Sequence, residues 1–382
     1  MIRALAAGLV LVALTHPAVA ETRLEPLRFA DLAGWASDDH QAALAAFRRS
    51  CTETLEQGSS FSRPVTFGGN RNDWQAVCAA AAAVTDARAF FETAFRPFRV
   101  HDRIRPEGLF TGYYEPEVRG SRKKSKAFSV PVYRKPDDLL RFDPRTEKKT
   151  GLRYGRKLKG RAAPYFTRQE IDQGALAGRG LELLWLADAA DLFFMQVQGS
   201  GRVRLDDGTT IRLAYAAKSG LPYTGIGGVL AARGDIPREG LSMQAIRHWM
   251  TAHPAKAQAL MWHNRSYVFF REMAMGDPAL GAPGAQHVAL TPQRSLAVDR
   301  TLWRFGMPVW LDTTAPSPQG DRPFRRLMIA QDTGSAIKGA ARGDVYWGWG
   351  TAAEETAGAM KQPGTMTVLL PLALARKHAP MP

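Results

Sequence analysis

Residues 330–350 read AQDTGSAIKGAARGDVYWGWG. The pattern predicts two short strands joined by a glycine-rich loop, with Asp332 and Asp344 at the strand ends, so that both carboxylates can meet at the mouth of one small barrel. Two carboxylates held close together have interacting pKa values, and one pKa rises into the range that suits a general acid. The alternative is that both side chains accept hydrogen bonds from loop amides as turn residues. Lys338, in the same loop, could position a substrate carboxylate or lower the pKa of one aspartate.

Short β-like runs divided by turn residues surround this segment. Asp207-Gly208 between two such runs is a strong hairpin signal, and several short strands at close spacing favour a small barrel or sandwich. The predicted strands are 113–114, 130–133, 181–186, 192–197, 203–205, 211–214, 267–270, 288–290, 309–310, 327–330, 345–347 and 367–370. On the strand predicted at 192–197, Gln196 and Gln198 would face one side, either towards sugar hydroxyl and acetamido groups or towards solvent.

Helical spacing of apolar residues precedes the strands, at 38–55 and 73–95, and two shorter helices are predicted at 242–251 and 256–263. Cys51 and Cys78 are the only cysteines and lie in the first two of these helices. In an exported chain they are expected to form a disulfide, because no CxxC motif or histidine cluster accompanies them; the alternative is two buried free thiols.

The amino terminus reads as a secretory signal. Residues 1–20 carry one charge, Arg3, then an apolar run, then Ala18-Val19-Ala20 before Glu21, which predicts cleavage after Ala20. No other window is apolar enough for a membrane span. No cysteine follows the cleavage site, so a lipid anchor is not expected, and the protein is expected to be periplasmic, either soluble or peripherally associated with the outer membrane.

The charge of the exported chain is strongly positive. Without Arg3 it holds 50 basic and 36 acidic residues, a net charge of +14. Outside the cytoplasm such a chain meets anionic wall polymer or lipid more readily than nucleic acid, which is not an expected partner. Residues 119–161 alone contain 16 Lys or Arg and four acids, either as a solvated flexible loop or as a rim that faces a polyanion.

Aromatic residues offer a second candidate site. Tyr113 and Tyr114 could stack on the apolar faces of sugar rings, with Glu115 as an additional carboxylate; alternatively, one tyrosine packs in the core and the other lies at a strand end. No metal site is expected, since the eight histidines show neither HExxH nor zinc-site spacing, and no cofactor is expected.

Taken together, six motifs in order make the chain similar to the lytic murein transglycosylase A family. They are GYYEPEV at 112–118, VPVYRKP at 130–136, FFMQVQGSGRVRL with DDG at 193–208, SMQAIRHW at 242–249, VFF at 268–270 and the opening segment at 330–350. The resemblance implies a mainly β protein. A double-psi β-barrel would be formed by residues 21–125, with the helix pair, and 243–382, and a second small β-barrel would be inserted at 126–242.

The resemblance also implies a reaction. Such enzymes cleave the β-1,4 bond between N-acetylmuramic acid and N-acetylglucosamine in peptidoglycan and leave a 1,6-anhydromuramoyl end without using water. The acid is then Asp344, with Asp332 as its companion. The expected glycan contacts are Tyr113, Tyr114, Gln196, Gln198, Gly199, Ser200 and Lys338.

Two other functions stay open from the sequence, a peptidoglycan-binding protein that does not cut and a muramidase that uses water with Asp332 or Glu115 as the second carboxylate. The expected partners are peptidoglycan glycan strands, with proteins of the cell-wall machinery as further candidates. The chain departs from the best known family members, which are lipoproteins, in lacking a lipidation cysteine.

Overall fold

The computed structural model describes residues 22–103 and 105–378, so the predicted signal at 1–20 lies outside it. The strands are β1 (Thr22–Pro26), β2 (Phe95–Asp102), β3 (Gly108–Glu115), β4 (Glu117–Ser121), β5 (Val130–Tyr133), β6 (Leu140–Arg141), β7 (Tyr154–Leu158), β8 (Arg161–Ala163), β9 (Glu182–Leu186), β10 (Ser200–Leu205), β11 (Thr210–Lys218), β12 (Val268–Met273), β13 (Ser295–Val298), β14 (Pro308–Ala315), β15 (Arg322–Asp332), β16 (Arg342–Trp349) and β17 (Lys361–Pro371).

The helices alternate with these strands. They are α1 (His40–Leu55), α2 (Asn72–Ala81), α3 (Ala87–Ala94), α4 (Pro144–Thr150), α5 (Arg168–Glu170), α6 (Ala189–Gln198), α7 (Ile226–Arg233), α8 (Met243–Ala252), α9 (Pro254–Trp262), α10 (Thr351–Ala359) and α11 (Leu372–Ala375). Within residues 22–103 and 105–378, no helix is both long and apolar enough to cross a bilayer.

The first barrel closes because β17 pairs with two different strands. The sheet runs β1-β2-β17-β14-β15-β13-β16-β3, and β17 also pairs with β3, which completes a ring of six strands. One of these strands, β3, precedes the second barrel in sequence and the other five follow it. The expected mainly β fold, with a barrel built from both ends of the chain, is therefore confirmed.

A second sheet has the order β12-β11-β10-β4-β9-β5. A parallel bridge between Arg134 and Phe270 links its two outer strands. Its interior holds alternate apolar side chains, including Val132, Leu184 and Val203, all fully buried. This sheet draws on residues from β4 to β12 and so extends beyond the predicted insert of 126–242 at both ends.

The amino-terminal helices pack against the first barrel. Asp39 caps α1 by accepting a hydrogen bond from the Ala42 amide. A disulfide joins Cys51 of α1 to Cys78 of α2. The single helix predicted at 73–95 is wrong: it is divided into α2 and α3, because the side chain of Asp86 caps a new helix start by accepting from the Ala89 amide.

Several predicted strands are present and two are wrong. The hairpin at Asp207-Gly208 joins β10 to β11 as predicted. Residues 192–197 form a helix instead, since Asp188 caps the amino terminus of α6 and Gly199 ends it in the left-handed conformation, with φ 88°. Residues 288–290 lie in a loop that makes one isolated bridge, between Pro283 and Ala289.

Candidate active site

The register of the first barrel brings Asp332 and Asp344 to the same level. The central strand β13 lies between β15 and β16, and Ala297 of β13 pairs with Asp332 on one side and with Asp344 on the other. Paired residues on neighbouring strands share a face of the sheet. Neighbouring strands lie about 4.8 Å apart, so the two Cα atoms are about 10 Å apart along the sheet. The barrel therefore brings together the two aspartates of the opening segment.

Below the carboxylates lies an apolar floor. A buried cluster contains Tyr113, Leu290, Ala297, Ile337 and Tyr346. The rings of Tyr113 and Tyr346 pack with their centroids 5.3 Å apart. This floor removes water from one side of both aspartates, which disfavours their ionised forms.

The pKa of Asp344 is raised. Burial raises its pKa to about 6, helped by the negative charge of Asp332 and opposed by the positive charge of Arg342 and by the hydrogen bond from Thr111. The Thr111 hydroxyl donates to Asp344 Oδ1. Arg342 Nη2 in turn donates to Thr111 Oγ1 at 2.7 Å, so the three side chains form a chain of hydrogen bonds. A carboxyl group with this pKa is available as an acid near neutral pH.

Asp332 is held as an acceptor. Its Oδ1 accepts from the amides of Ala285, at 2.9 Å, and Thr333, at 2.8 Å, and its Oδ2 accepts from the Tyr113 hydroxyl at 3.0 Å. Burial raises the pKa of Asp332 and these three donors oppose the rise. Burial also raises the pKa of Tyr113 well above its ordinary value, and the charge of Asp332 adds to the rise. Tyr113 therefore stays a donor, and Asp332 is suited to be the anionic neighbour of Asp344.

The two tyrosines that were predicted to contact the glycan are both buried in the structure. Tyr113 is 9% exposed and bonded to Asp332, so it positions that carboxylate. Tyr114 is 1% exposed within the main core, and the prediction of a sugar-stacking face at this position is wrong. Successive side chains of a strand point to opposite faces, so only one of the pair can reach the site.

The two glutamines that were predicted to face a glycan from one strand have a different position in the structure. Gln196 and Gln198 lie on α6, not on a strand. Gln196 is buried, accepts from Arg168 and donates to the Val268 carbonyl, so the prediction that it faces a glycan is wrong. Gln198 is partly buried and accepts from the Tyr114 amide at 3.1 Å. Gly199 and Ser200 follow it, partly exposed.

Glu115 is tied into a buried ion-pair cluster. It is fully buried, and its carboxylate accepts from Arg202 Nε at 2.9 Å and from Arg212 Nε at 2.8 Å. Both guanidinium groups also donate to the Leu280 carbonyl. The expectation of Glu115 as a second catalytic carboxylate is therefore wrong, because its oxygens are already used by two cations.

One further side chain at the site, Tyr223, was not predicted from the sequence. Tyr223, in the loop between β11 and α7, is 40% exposed. Burial raises the pKa of its hydroxyl, Arg168 opposes the rise and the charge of Asp344 adds to it, so the ring lies within electrostatic reach of the acid. An aromatic residue inside the glycine- and proline-rich segment 219–228 was the available signal. Lys338 is exposed, with its Nζ 3.4 Å from Asp299 Oδ1.

Known proteins have a similar sequence and fold. The profile of the MltA specific insert domain matches residues 109–271, and that of the 3D domain matches residues 294–370. The crystal structure of a membrane-bound lytic murein transglycosylase from Agrobacterium tumefaciens superposes with a TM-score of 0.85 at 35% identity, covering 94% of this chain and 100% of that one. The chain belongs to the lytic murein transglycosylase A family.

Other relatives agree with this assignment. A Neisseria gonorrhoeae family member superposes with a TM-score of 0.75 at 33% identity, over 92% of this chain and 93% of that one. The membrane-bound lytic murein transglycosylase A of Vibrio cholerae is 35% identical over 261 residues, 67% of this chain and 63% of the relative. The alignment thus spans a little under two thirds of that relative. The Escherichia coli family member crystallised with bound chitohexaose has a TM-score of 0.65 at 27% identity, over 91% of each chain.

The two domain matches include both aspartates and Tyr223. Asp332 and Asp344 fall within the 3D domain match, and Tyr223 falls within the insert domain match. In the described residues, no group of three or more metal-ligating side chains lies close enough to hold an ion.

Proposed function

We propose that this protein cleaves the β-1,4 bond between N-acetylmuramic acid and N-acetylglucosamine in peptidoglycan and forms a 1,6-anhydromuramoyl end. The observation that carries the proposal is the pairing of one carboxyl group with a pKa of about 6, Asp344, with one carboxylate fixed by three donors, Asp332. Family membership and the chitohexaose bound by the Escherichia coli relative support a glycan as the substrate.

The reaction needs a single residue as acid and then as base. Protonated Asp344 gives its proton to the glycosidic oxygen as the bond to C1 of the muramoyl residue breaks. The C6 hydroxyl of the same residue then bonds to C1, and its proton passes to the Asp344 carboxylate. The acid is restored and no water is consumed.

An internal hydroxyl competes well with water. A well-oriented intramolecular nucleophile has an effective molarity of about 10⁵ M or more, far above the concentration of water. In its ionised form, Asp332 would stabilise the positive charge that develops on the sugar ring, and three hydrogen bonds hold its carboxylate in place. Tyr113 positions that carboxylate, and Tyr223 is the aromatic side chain placed to contact the sugar.

The location of the reaction is part of the proposal. The predicted signal at residues 1–20 and the disulfide between Cys51 and Cys78 both fit an oxidising compartment such as the periplasm, where peptidoglycan is found. The mature charge of +14 fits attraction to an anionic wall polymer.

The identity of the new sugar end tests the proposal. Purified protein is incubated with murein and the soluble products are weighed by mass spectrometry. The anhydro end is lighter by one water than a hydrolytic end. Hydrolytic ends would show a muramidase, and the absence of soluble products would show a protein that only binds; either result refutes the proposal.

Two variants test the roles of the aspartates. Asp344→Asn removes the acid and is expected to lower kcat at least about 10³-fold while murein binding and thermal unfolding are retained. Asp332→Asn keeps the acid and is expected to lose less. An active Asp344→Asn protein would exclude Asp344 from the chemistry.

A further inference from the structure

Five basic side chains gather at the end of the first barrel that carries Asp332 and Asp344. They come from both barrels and from the amino-terminal region, so the chain fold, and not local sequence, collects them. This cationic cluster consists of Arg63, Arg153, Lys218, Arg300 and Lys338.

The members are close enough to repel one another. Burial lowers the pKa of Lys218, and the charges of Arg300, Arg153 and Lys338 lower it further. Burial and the charge of Arg153 lower the pKa of Arg300, and the neighbouring carboxylate of Asp299 opposes this. Burial and the charges of Arg300 and Arg153 lower the pKa of Arg63. These like charges therefore lie near one another, and Arg63, Arg153, Lys218 and Arg300 are each partly buried.

Little negative charge balances the cluster within the described ranges. Lys338 is its one member with an ion pair there, to Asp299, whose oxygens also accept from Gly339 and Thr301. Lys218 Nζ donates to the neutral Ser335 hydroxyl at 2.9 Å. Arg153 has a buried Nε without a hydrogen-bond partner. Buried donors of this kind are normally satisfied, so the cluster is suited to an anionic ligand.

The cluster lies next to the reacting centre. Arg300 follows Ala297, the residue paired with both aspartates, by three positions, which is about 10 Å of extended chain. Lys338 lies in the loop that joins the strands of Asp332 and Asp344. A ligand on the cluster would therefore lie beside the end of the barrel that carries the two aspartates.

We propose that the cationic cluster binds the carboxylates of the peptides that branch from muramoyl residues. This inference rests on the proposed function. An extended peptide on the sugar at the acid advances about 3.3 Å per residue, so a stem of a few residues can extend towards basic groups beside the barrel end that carries Asp332. A flat anionic bilayer fits less well, because Arg153 is partly buried and the basic groups converge from separate loops around the site.

Two glycan substrates distinguish the contribution of the stem peptide from that of the sugar chain. One carries its stem peptides, and the other is stripped of them by an amidase. The measured quantity is the ratio of kcat/KM on the stemmed substrate to kcat/KM on the stripped one. Arg153→Gln with Arg300→Gln is expected to lower this ratio about tenfold, since each partly exposed charge contact contributes up to about 1 kcal/mol.

Matched variants control for charge and structure. Lys148→Gln with Lys149→Gln removes the same charge from the exposed end of α4 and is expected to leave the ratio unchanged. Arg153→Lys with Arg300→Lys is expected to restore most of the ratio. An unchanged ratio in the Gln pair, or an equal fall in the control pair, would overturn the proposal.

A binding measurement does not depend on cleavage. Titration calorimetry with a synthetic alanyl-glutamyl-diaminopimelyl peptide is expected to show salt-sensitive binding that the Gln pair weakens about tenfold. Equal binding to the wild type and the Gln pair, or no binding to either, refutes the cluster as a peptide site. If phosphatidylglycerol vesicles show the dependence on Arg153 and Arg300 while the peptide does not, the ligand is a lipid surface and the proposal fails. Peptide binding without glycan cleavage would refute the proposed function and leave this inference standing.

Discussion

Replacing Thr111 by Val tests how the acid is tuned. Val has nearly the shape of Thr but lacks the hydroxyl that donates to Asp344 Oδ1. That hydrogen bond lowers the pKa of Asp344, so its loss must raise the pKa above the native value of about 6. A hydrogen bond to a charged group contributes about 1.5–3 kcal/mol, and one pH unit corresponds to about 1.4 kcal/mol. The high-pH limb of the activity profile should therefore move upward by at least about one pH unit.

The assay is kcat/KM on soluble glycan strands between pH 4 and pH 9. For each enzyme the value at pH 8 is divided by the value at pH 5, which cancels any uniform loss. Wild-type protein is expected to lose activity as pH rises through about 6, because the free acid is deprotonated. For Thr111→Val the pH 8 to pH 5 quotient should be about tenfold higher than for the wild type.

Thr111→Ser is the matched control. It retains a hydroxyl that can accept from Arg342 and donate to Asp344, and its profile should follow the wild type. A limb that stays in place or moves downward in the Val protein would refute the tuning by Thr111. A Ser protein that behaves like the Val protein would show that the methyl group, and not the hydroxyl, matters.

Three further results are expected from unfolding and redox measurements. The pKa of Asp344 is higher in the folded state than in the unfolded chain, so the folded state binds the proton more tightly and the free energy of unfolding falls as pH rises from about 4 to about 6. Over that pH range the free energy of unfolding of Asp344→Asn should rise by up to about 3 kcal/mol relative to that of the wild type. A difference between the two proteins that does not change with pH would contradict the raised pKa. Glu115→Gln should lower the free energy of unfolding by about 3–5 kcal/mol because it leaves Arg202 and Arg212 buried without an anion, and a change below 1 kcal/mol would refute that role. Removing the disulfide that closes a loop of 27 residues, by replacing both cysteines with Ser, should cost about 3.5 kcal/mol in denaturant unfolding, with dithiothreitol having no effect on the variant; an unchanged midpoint would contradict this.

The sequence correctly predicted elements that are stabilised by hydrogen bonds and turn conformations within a few neighbouring residues. Asp207-Gly208 forms a tight turn without help from the rest of the chain, and the structure has the hairpin there. Ser242 caps α8 by accepting from the Ala245 amide, and the helix begins where the sequence placed it. Where two local signals competed, as at 192–197, the caps at Asp188 and Gly199 prevailed over the apolar run.

The surroundings of Tyr113, Tyr114 and Gln196 could not be predicted from a short stretch of sequence, because they depend on contacts with distant residues. Whether Tyr113 or Tyr114 points towards Asp332 depends on the register of β3 against β16, which a slip of one residue would reverse. Gln196 is satisfied by Arg168 and the Val268 carbonyl, both distant in sequence.

The sequence by itself determined the mainly β class, the hairpin, the positions of α1, α8 and α9 and the two aspartates, because these follow from side-chain patterns and turn chemistry within the segment that carries them. Only the tertiary structure shows how the surroundings of Asp332 and Asp344 differ. Asp332 accepts hydrogen bonds from Tyr113, Ala285 and Thr333, whereas Asp344 accepts from Thr111. Tyr113 and Thr111 reach the two aspartates through the pairing of β3 with β16, which joins residues far apart in the chain.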